Sequence, residues 1–119
     1  MPKVSILVFS ELETSHGDLA RVVNALQIAR EFKEAGDEIK LLFDGGGVVA
    51  VAAIVQPAHK LHKTYTLVAD TVAGACAYCA KAFGVKEELE AAGVTLLGDY
   101  KQHPSIRSLM VDGFTVLTI

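Results

Sequence analysis

Cys76 and Cys79 are the only cysteines of the chain, three residues apart in Gly74-Ala75-Cys76-Ala77-Tyr78-Cys79-Ala80. Thiols at that spacing can close a disulfide, share a metal ion or carry sulfur. If a helix starts at Cys76, its unpaired amides favour the thiolate, and the Cys76 pKa should fall below the free value of roughly 8.5. Cys79, about one helical turn on, then shares a face with Cys76 and can resolve a sulfenate, persulfide or mixed disulfide on it. The opposing reading treats both as small buried hydrophobes among Ala75, Ala77 and Ala80. A thioredoxin motif normally sits in an early strand-to-helix turn, whereas this pair lies two-thirds along the chain. A zinc site would need further ligands, and no second close ligand pair accompanies the cysteines. His59 and His62 are three apart but fall on the polar face of an expected helix. Neither a metal nor another cofactor is therefore expected.

Asp44-Gly45-Gly46-Gly47 invites a phosphate-binding reading, but it lacks both G-x-G-x-x-G spacing and a following Lys-Ser/Thr. The glycines are expected instead to let the backbone close over a site or a helix pack tightly on a sheet. His103, immediately before Pro104, reads as a helix N-cap with proline at the first helical position. His16 and Glu13 read as solvated loop residues.

The elements that must position these groups alternate. Lys3 to Phe9 is an almost continuous apolar strand of the kind covered on both faces. Over Asp18 to Ala35, Leu19, Val22, Val23, Leu26 and Ala29 recur at helical steps, with Ser15 as N-cap and Gly36 as a left-handed stop. A strand over Glu38 to Phe43 follows, then an apolar helix over Val48 to Val55, ended by Pro57. The spacing of Leu61, Tyr65, Val68 and Val72 predicts a helix from about His59 to Val72, and Gly74 to Cys76 a short strand or turn. Lys86 to Gly93 reads as helix, Val94 to Leu97 as strand, Pro104 to Asp112 as helix and Phe114 to Ile119 as strand. This alternation specifies one α/β domain over 1–119 with a mainly parallel sheet. In such a sheet, sites collect beyond the carboxyl ends of the strands. That edge should gather Cys76 and Cys79, with Asp44, Gly45, Gly46, Gly47, Tyr78 and His103 lining the cleft and Tyr100 and His16 nearby.

The apolar fraction of 51% is high for a domain of this size, so some apolar surface is expected between subunits. The longest unbroken apolar run, Val48 to Val55, is far short of the roughly 18 residues of a membrane span. A net charge of −3 with interspersed signs leaves no footprint for nucleic acid. Met1-Pro2-Lys3-Val4 runs into a strand without a secretory pattern, so a cytoplasmic location is expected. There, two cysteines are better suited to reactivity or metal binding than to a structural disulfide.

The first strand and helix, F-D-G-G-G-V, G-A-C-A-Y-C-A-K-A-F-G-V and the closing H-P-S-I-R-S-L-M-V-D-G-F-T-V-L-T-I together resemble the DsrE-like family of small sulfur-relay proteins over nearly the whole chain. The most specific element is a cysteine eight residues before a glycine, here Cys76 and Gly84. The resemblance implies a three-layer α/β/α fold with a five-stranded, mainly parallel sheet, assembled as a homotrimer or homohexamer. It also implies that Cys76 accepts sulfane sulfur as a persulfide from a donor protein and passes it to an acceptor protein. Cys79 lacks a counterpart in many such proteins and reads as an accessory that could release the sulfur by forming a Cys76–Cys79 disulfide. Whether such a carrier is an enzyme stays open. The alternative is a non-enzymatic small-molecule or metal-binding module of the same fold.

Overall fold

Successive residues of β1 (Lys3–Val8) point to opposite faces of the sheet. Val4, Ile6 and Val8 enter one hydrophobic cluster, and Leu7 enters another on the far side. The computed structural model, which describes residues 1–119, builds two helical layers around this division. In chain order the remaining elements are α1 (His16–Glu34), β2 (Glu38–Phe43), α2 (Gly47–Ile54), α3 (His62–Thr66), a 3₁₀ turn (Ala69–Thr71), β3 (Val72–Cys76), α4 (Ala77–Ala82), α5 (Lys86–Ala91), β4 (Leu96–Leu97), α6 (Ile106–Val111) and β5 (Thr115–Thr118).

The five strands pair in parallel throughout, in the order β4-β3-β2-β1-β5. The β1–β2 register sets Val4 beside Ile39, Ile6 beside Leu41 and Val8 beside Phe43. Alternate residues of both strands thus build one continuous apolar face. Helices α1, α2, α4 and α5 cover that face through Val22, Leu26, Val51, Ala80 and Leu89. On the other face Leu109 of α6 meets Leu7, Leu42 and Phe114. The result is the expected three-layer α/β/α arrangement. No helix is long and apolar enough to cross a membrane.

The limits of α1 follow from its end residues. Ser15 adopts extended backbone and its hydroxyl accepts from the Asp18 amide at 3.1 Å, satisfying one donor of the first turn. Gly36, at φ 81°, ends the helix in the left-handed region. Between them Val22, Ala25, Leu26 and Ala29 face the sheet with no solvent exposure. Burying Leu26 alone stabilises the fold by roughly 1.5–3 kcal/mol.

The glycine triplet sets how closely α2 approaches the sheet. A Cβ on Gly47 would lie 1.9 Å from the Val8 carbonyl oxygen, so backbone meets backbone where any side chain would stand. A Cβ on Gly46 would meet a milder crowding, 3.0 Å from the Phe9 carbonyl oxygen and 2.7 Å from Glu11 Cγ. The expectation of tight helix–sheet packing holds for Gly47, whereas Gly46 is crowded by the loop after β1.

The helix expected from His59 to Val72 is much shorter, covering only His62–Thr66, and Val72 instead opens β3. Threonines explain the interruption. The Thr66 hydroxyl donates to the Lys63 carbonyl and the Thr71 hydroxyl to the Val68 carbonyl, while the Leu67 and Val68 amides turn to Thr64 and Tyr65 in tighter i→i−3 bonds. Tyr65 and Val68 are still buried, so the apolar spacing was informative although its continuation as a helix was not. The strand expected over Val94 to Leu97 likewise contracts to Leu96–Leu97.

Gly47→Ala should lower the unfolding free energy by about 2–3 kcal/mol, the upper range for overpacking. Gly17→Ala, whose new Cβ would meet only ordinary contacts, should be neutral or stabilise by up to about 1 kcal/mol. Urea denaturation of the two variants measures this difference; equal stabilities would remove the close-approach explanation.

Candidate functional site

Parallel pairing brings the carboxyl ends of all five strands to one edge. There β2 delivers Asp44, β3 ends on Cys76, and β4 leads into the 98–105 loop that carries His103. The helices after β3 pack on the larger cluster, whereas α6, after β4, packs on the opposite face. The connections therefore part at β3 and β4, which is where open α/β sheets form their binding crevices.

Cys76 is the N-cap residue of α4 and has no solvent exposure. Its Sγ lies 3.3 Å from His103 Nδ1 and 3.9 Å from the Gln102 carbonyl oxygen, and it accepts from the Cys79 amide at 3.5 Å. Cys79 is half-buried, and its thiol donates to Asp44 Oδ1 at 3.5 Å. The Gly45 amide donates to the same carboxylate oxygen at 2.8 Å. One ligand atom from each of Asp44, Cys76, Cys79 and His103 lies within 4.8 Å of the others. Tyr78 stands over the His103 ring with centroids 4.8 Å apart and planes tilted by 34°. Both thiols are free.

His103 does not cap α6, contrary to the reading of the His-Pro dipeptide. Ser105 does so, its hydroxyl accepting from the Ser108 amide at 3.2 Å, while Asp99 accepts from the Ser105 amide at 3.0 Å. His103 is instead aimed at the thiols by a two-residue turn. Tyr100 and His103 exchange backbone hydrogen bonds of 2.8 Å, and the intervening Lys101 and Gln102 have φ of 49° and 68°. Such a turn favours Asn-Gly or Asp-Gly, and each ordinary residue held there costs of order 1–3 kcal/mol. The Tyr78 amide, donating to the Gln102 carbonyl at 2.8 Å, ties the strained turn to the first turn of α4.

Burial overturns the expected thiolate at Cys76. The pKa of Cys76 is pushed up to about 12 from an ordinary 9.0, first by removal from water. The Cys79 amide opposes the shift, while the Cys79 thiol and the Asp44 carboxylate reinforce it. Only one amide of α4 reaches the sulfur, because that of Tyr78 is taken by Gln102. The six-residue helix also supplies little dipole. At neutral pH, Cys76 is a protonated thiol.

Of the other expected cleft residues, Gly45 reaches the site through its amide, whereas Gly46 and Gly47 sit against the end of β1. Tyr100 is exposed, and His16 opens α1 in solvent. Glu13 helps to line a separate surface cavity of about 330 Å³ with Leu12 and Val49. His59 Nδ1 accepts from the Leu61 amide, and His62 Nδ1 lies 2.9 Å from the Ile54 carbonyl oxygen, so both are engaged by nearby backbone.

Fold and site together define a three-layer parallel α/β protein with one buried and one half-buried thiol at the carboxyl edge of its sheet. No family model matches the chain. The sequence is 28% identical over 117 residues to the uncharacterized protein MJ0733 of Methanocaldococcus jannaschii, covering 98% of this chain and 95% of that one. The structure is similar to that of the conserved protein of unknown function BT1422 from Bacteroides thetaiotaomicron. That match has a TM-score of 0.69 and 19% identity, and covers 98% of this chain and 95% of the other. The likeness shows a shared fold.

Two outcomes are expected from this geometry. Iodoacetamide near neutral pH should modify Cys79 well before Cys76, and the Cys76 rate should keep rising above pH 9.0, as the raised pKa requires. Peptide mass mapping over time measures both rates; faster reaction at Cys76 would refute the sealed thiol. Replacing Lys101 by Asn and Gln102 by Gly should raise stability by about 1 kcal/mol through relief of the turn. A double variant less stable than the parent in urea would show that the turn is not strained.

Proposed function

We propose that the protein is a cytoplasmic sulfur carrier in which Cys76 holds sulfane sulfur and Cys79 releases it. The observation that carries this reading is the 3.3 Å contact between Cys76 Sγ and His103 Nδ1, which gives an otherwise protonated thiol a base at the moment of attack. The resemblance of the G-A-C-A-Y-C-A segment to that of sulfur-relay proteins supports Cys76 as the acceptor.

In the loading step, the Cys76 sulfur attacks the outer sulfur of a donor persulfide as His103 takes the thiol proton. A Cys76 S–S bond forms, the donor S–S bond breaks, and the donor leaves as a thiol. The persulfide then has two exits. An acceptor thiol can attack its outer sulfur and regenerate Cys76, or Cys79 can attack the Cys76 sulfur. The second route forms the Cys76–Cys79 disulfide, reduces the sulfane sulfur to hydrogen sulfide and requires a dithiol reductant to reset the pair. Because Cys76 is sealed and Cys79 is half-buried, a donor reaches Cys76 only when the cover over the sulfur opens while His103 stays against it.

Assembly as a homotrimer or homohexamer belongs to the same proposal. Tyr78, about half exposed beside the thiols, and Phe83, about half exposed at the far end of α4, supply apolar surface, and Met110 and Val111 supply it on α6. Light scattering should give the mass of three or six chains; a monomer would remove assembly from the proposal.

Metal-stripped protein treated with a persulfide donor should gain about 32 Da, one sulfur atom, on Cys76. Cys76→Ala should take up none there, and Cys79→Ala should retain the adduct longer. Intact wild-type protein with no gain, under conditions that load a known carrier, overturns the proposal.

A further inference from the structure

We propose that Asp44, Cys76, Cys79 and His103 form a four-coordinate site for a single zinc ion. This goes beyond the sulfur-carrier reading and does not depend on it.

Distance is the first argument. Zinc–ligand bonds are ~2.3 Å to sulfur and ~2.0–2.2 Å to nitrogen or oxygen, so donors around a tetrahedral ion stand about 3.3–3.8 Å apart. Two of the separations already have that length, 3.3 Å for Cys76 Sγ to His103 Nδ1 and 3.5 Å for Cys79 Sγ to Asp44 Oδ1. The whole quartet lies within 4.8 Å, so side-chain adjustments of about 1 Å close it around an ion.

Ligand type is the second. Two sulfurs, an imidazole nitrogen and a carboxylate oxygen suit a borderline-soft ion without strong geometric demands. Magnesium and calcium need six or more oxygen ligands, and only one of these four groups offers oxygen. The third argument is support from outside the quartet. The Gly45 amide orients Asp44, the Cys79 amide points at Cys76 Sγ, and Tyr78 covers the His103 ring. Bonds of this kind orient metal ligands from behind.

Charge supplies the fourth. Asp44 takes part in none of the fold's ion pairs, all of which use Asp18, Asp70, Glu34 or Glu38. A half-buried carboxylate beside two thiols thus has no cationic side chain opposite it, and a divalent ion supplies the missing charge. Thiolates bound to zinc are withheld from sulfane sulfur, so the metal-bound and sulfur-loaded states exclude one another.

The test uses the intact chain, stripped with a chelator and refilled with zinc(II) or cobalt(II). Wild-type protein should bind one zinc per chain by elemental analysis. Its cobalt form should show thiolate-to-metal charge transfer in the near ultraviolet and the strong visible bands of tetrahedral cobalt. Substituting even a residue behind the ligands of a zinc site typically costs about 10–100-fold in affinity, so C76S, C79S, D44N and H103A should each cost about 100-fold or more. Glu13→Gln, on a separate cavity, should leave the affinity unchanged. A weak octahedral cobalt spectrum without charge transfer overturns the site, and so does zinc binding that survives all four substitutions. The cobalt spectrum is read on wild-type protein and does not depend on any variant folding. Zinc binding without a sulfur adduct on the stripped protein refutes only the carrier; an adduct without zinc binding refutes only the metal site.

Discussion

Parallel pairing of the strands is the constraint on which everything else depends. It forces each connection to travel back along a face of the sheet, which demands helices, and it delivers every strand's carboxyl end to the same edge. Asp44, Cys76 and the loop bearing His103 meet there because their strands are neighbours in the order β2, β3, β4. The close contact of Gly47 with Val8 serves the same geometry. It turns the chain from β2 into α2 without lifting the helix off the sheet, leaving Asp44 facing the thiols.

Burial then determines the chemistry. A thiol capping a helix has a reputation for acidity, yet here the loss of water and a neighbouring carboxylate outweigh a single amide. Reactivity at Cys76 therefore has to come from something added to the site, whether His103 acting as a base, a cation, or movement of the covering loop. The loop itself is held under tension. Lys101 and Gln102 occupy a conformation that their side chains disfavour, and bonds from Tyr78 and between Tyr100 and His103 offset the cost.

Much of the fold was legible from residue patterns because the signals were local and agreed with one another. The Ser15 cap, the Gly36 stop and the stripe through Val22, Leu26 and Ala29 marked α1 almost to the residue. The segment after Pro57 misled because the Leu61, Tyr65 and Val68 spacing reports burial, while the threonine hydroxyls that break the helix act through bonds a periodicity cannot register. At the site, Cys76, Cys79 and Asp44 could be placed from the strand ends alone. The same reasoning put His103 at that edge, but not against the Cys76 sulfur, because the Lys101-Gln102 turn contains none of the Gly, Asn or Asp residues that announce such a turn, and the His-Pro dipeptide pointed to a cap. The raised pKa of Cys76 was hidden for a related reason: it follows from complete burial of the sulfur and from Asp44 nearby, both set by packing across the crevice.

The four groups of the site are contributed by three segments, and the chain order of those segments has a consequence for biosynthesis. Synthesis proceeds from the amino end at roughly 5–20 residues per second, so Cys76 and Cys79 leave the ribosome on the order of a few seconds before His103. During that interval β4 and the turn that covers the thiols do not yet exist. The nascent chain therefore passes through a stage in which both sulfurs are open to oxidants and stray metal ions, and the arrival of the 98–105 loop ends that vulnerability.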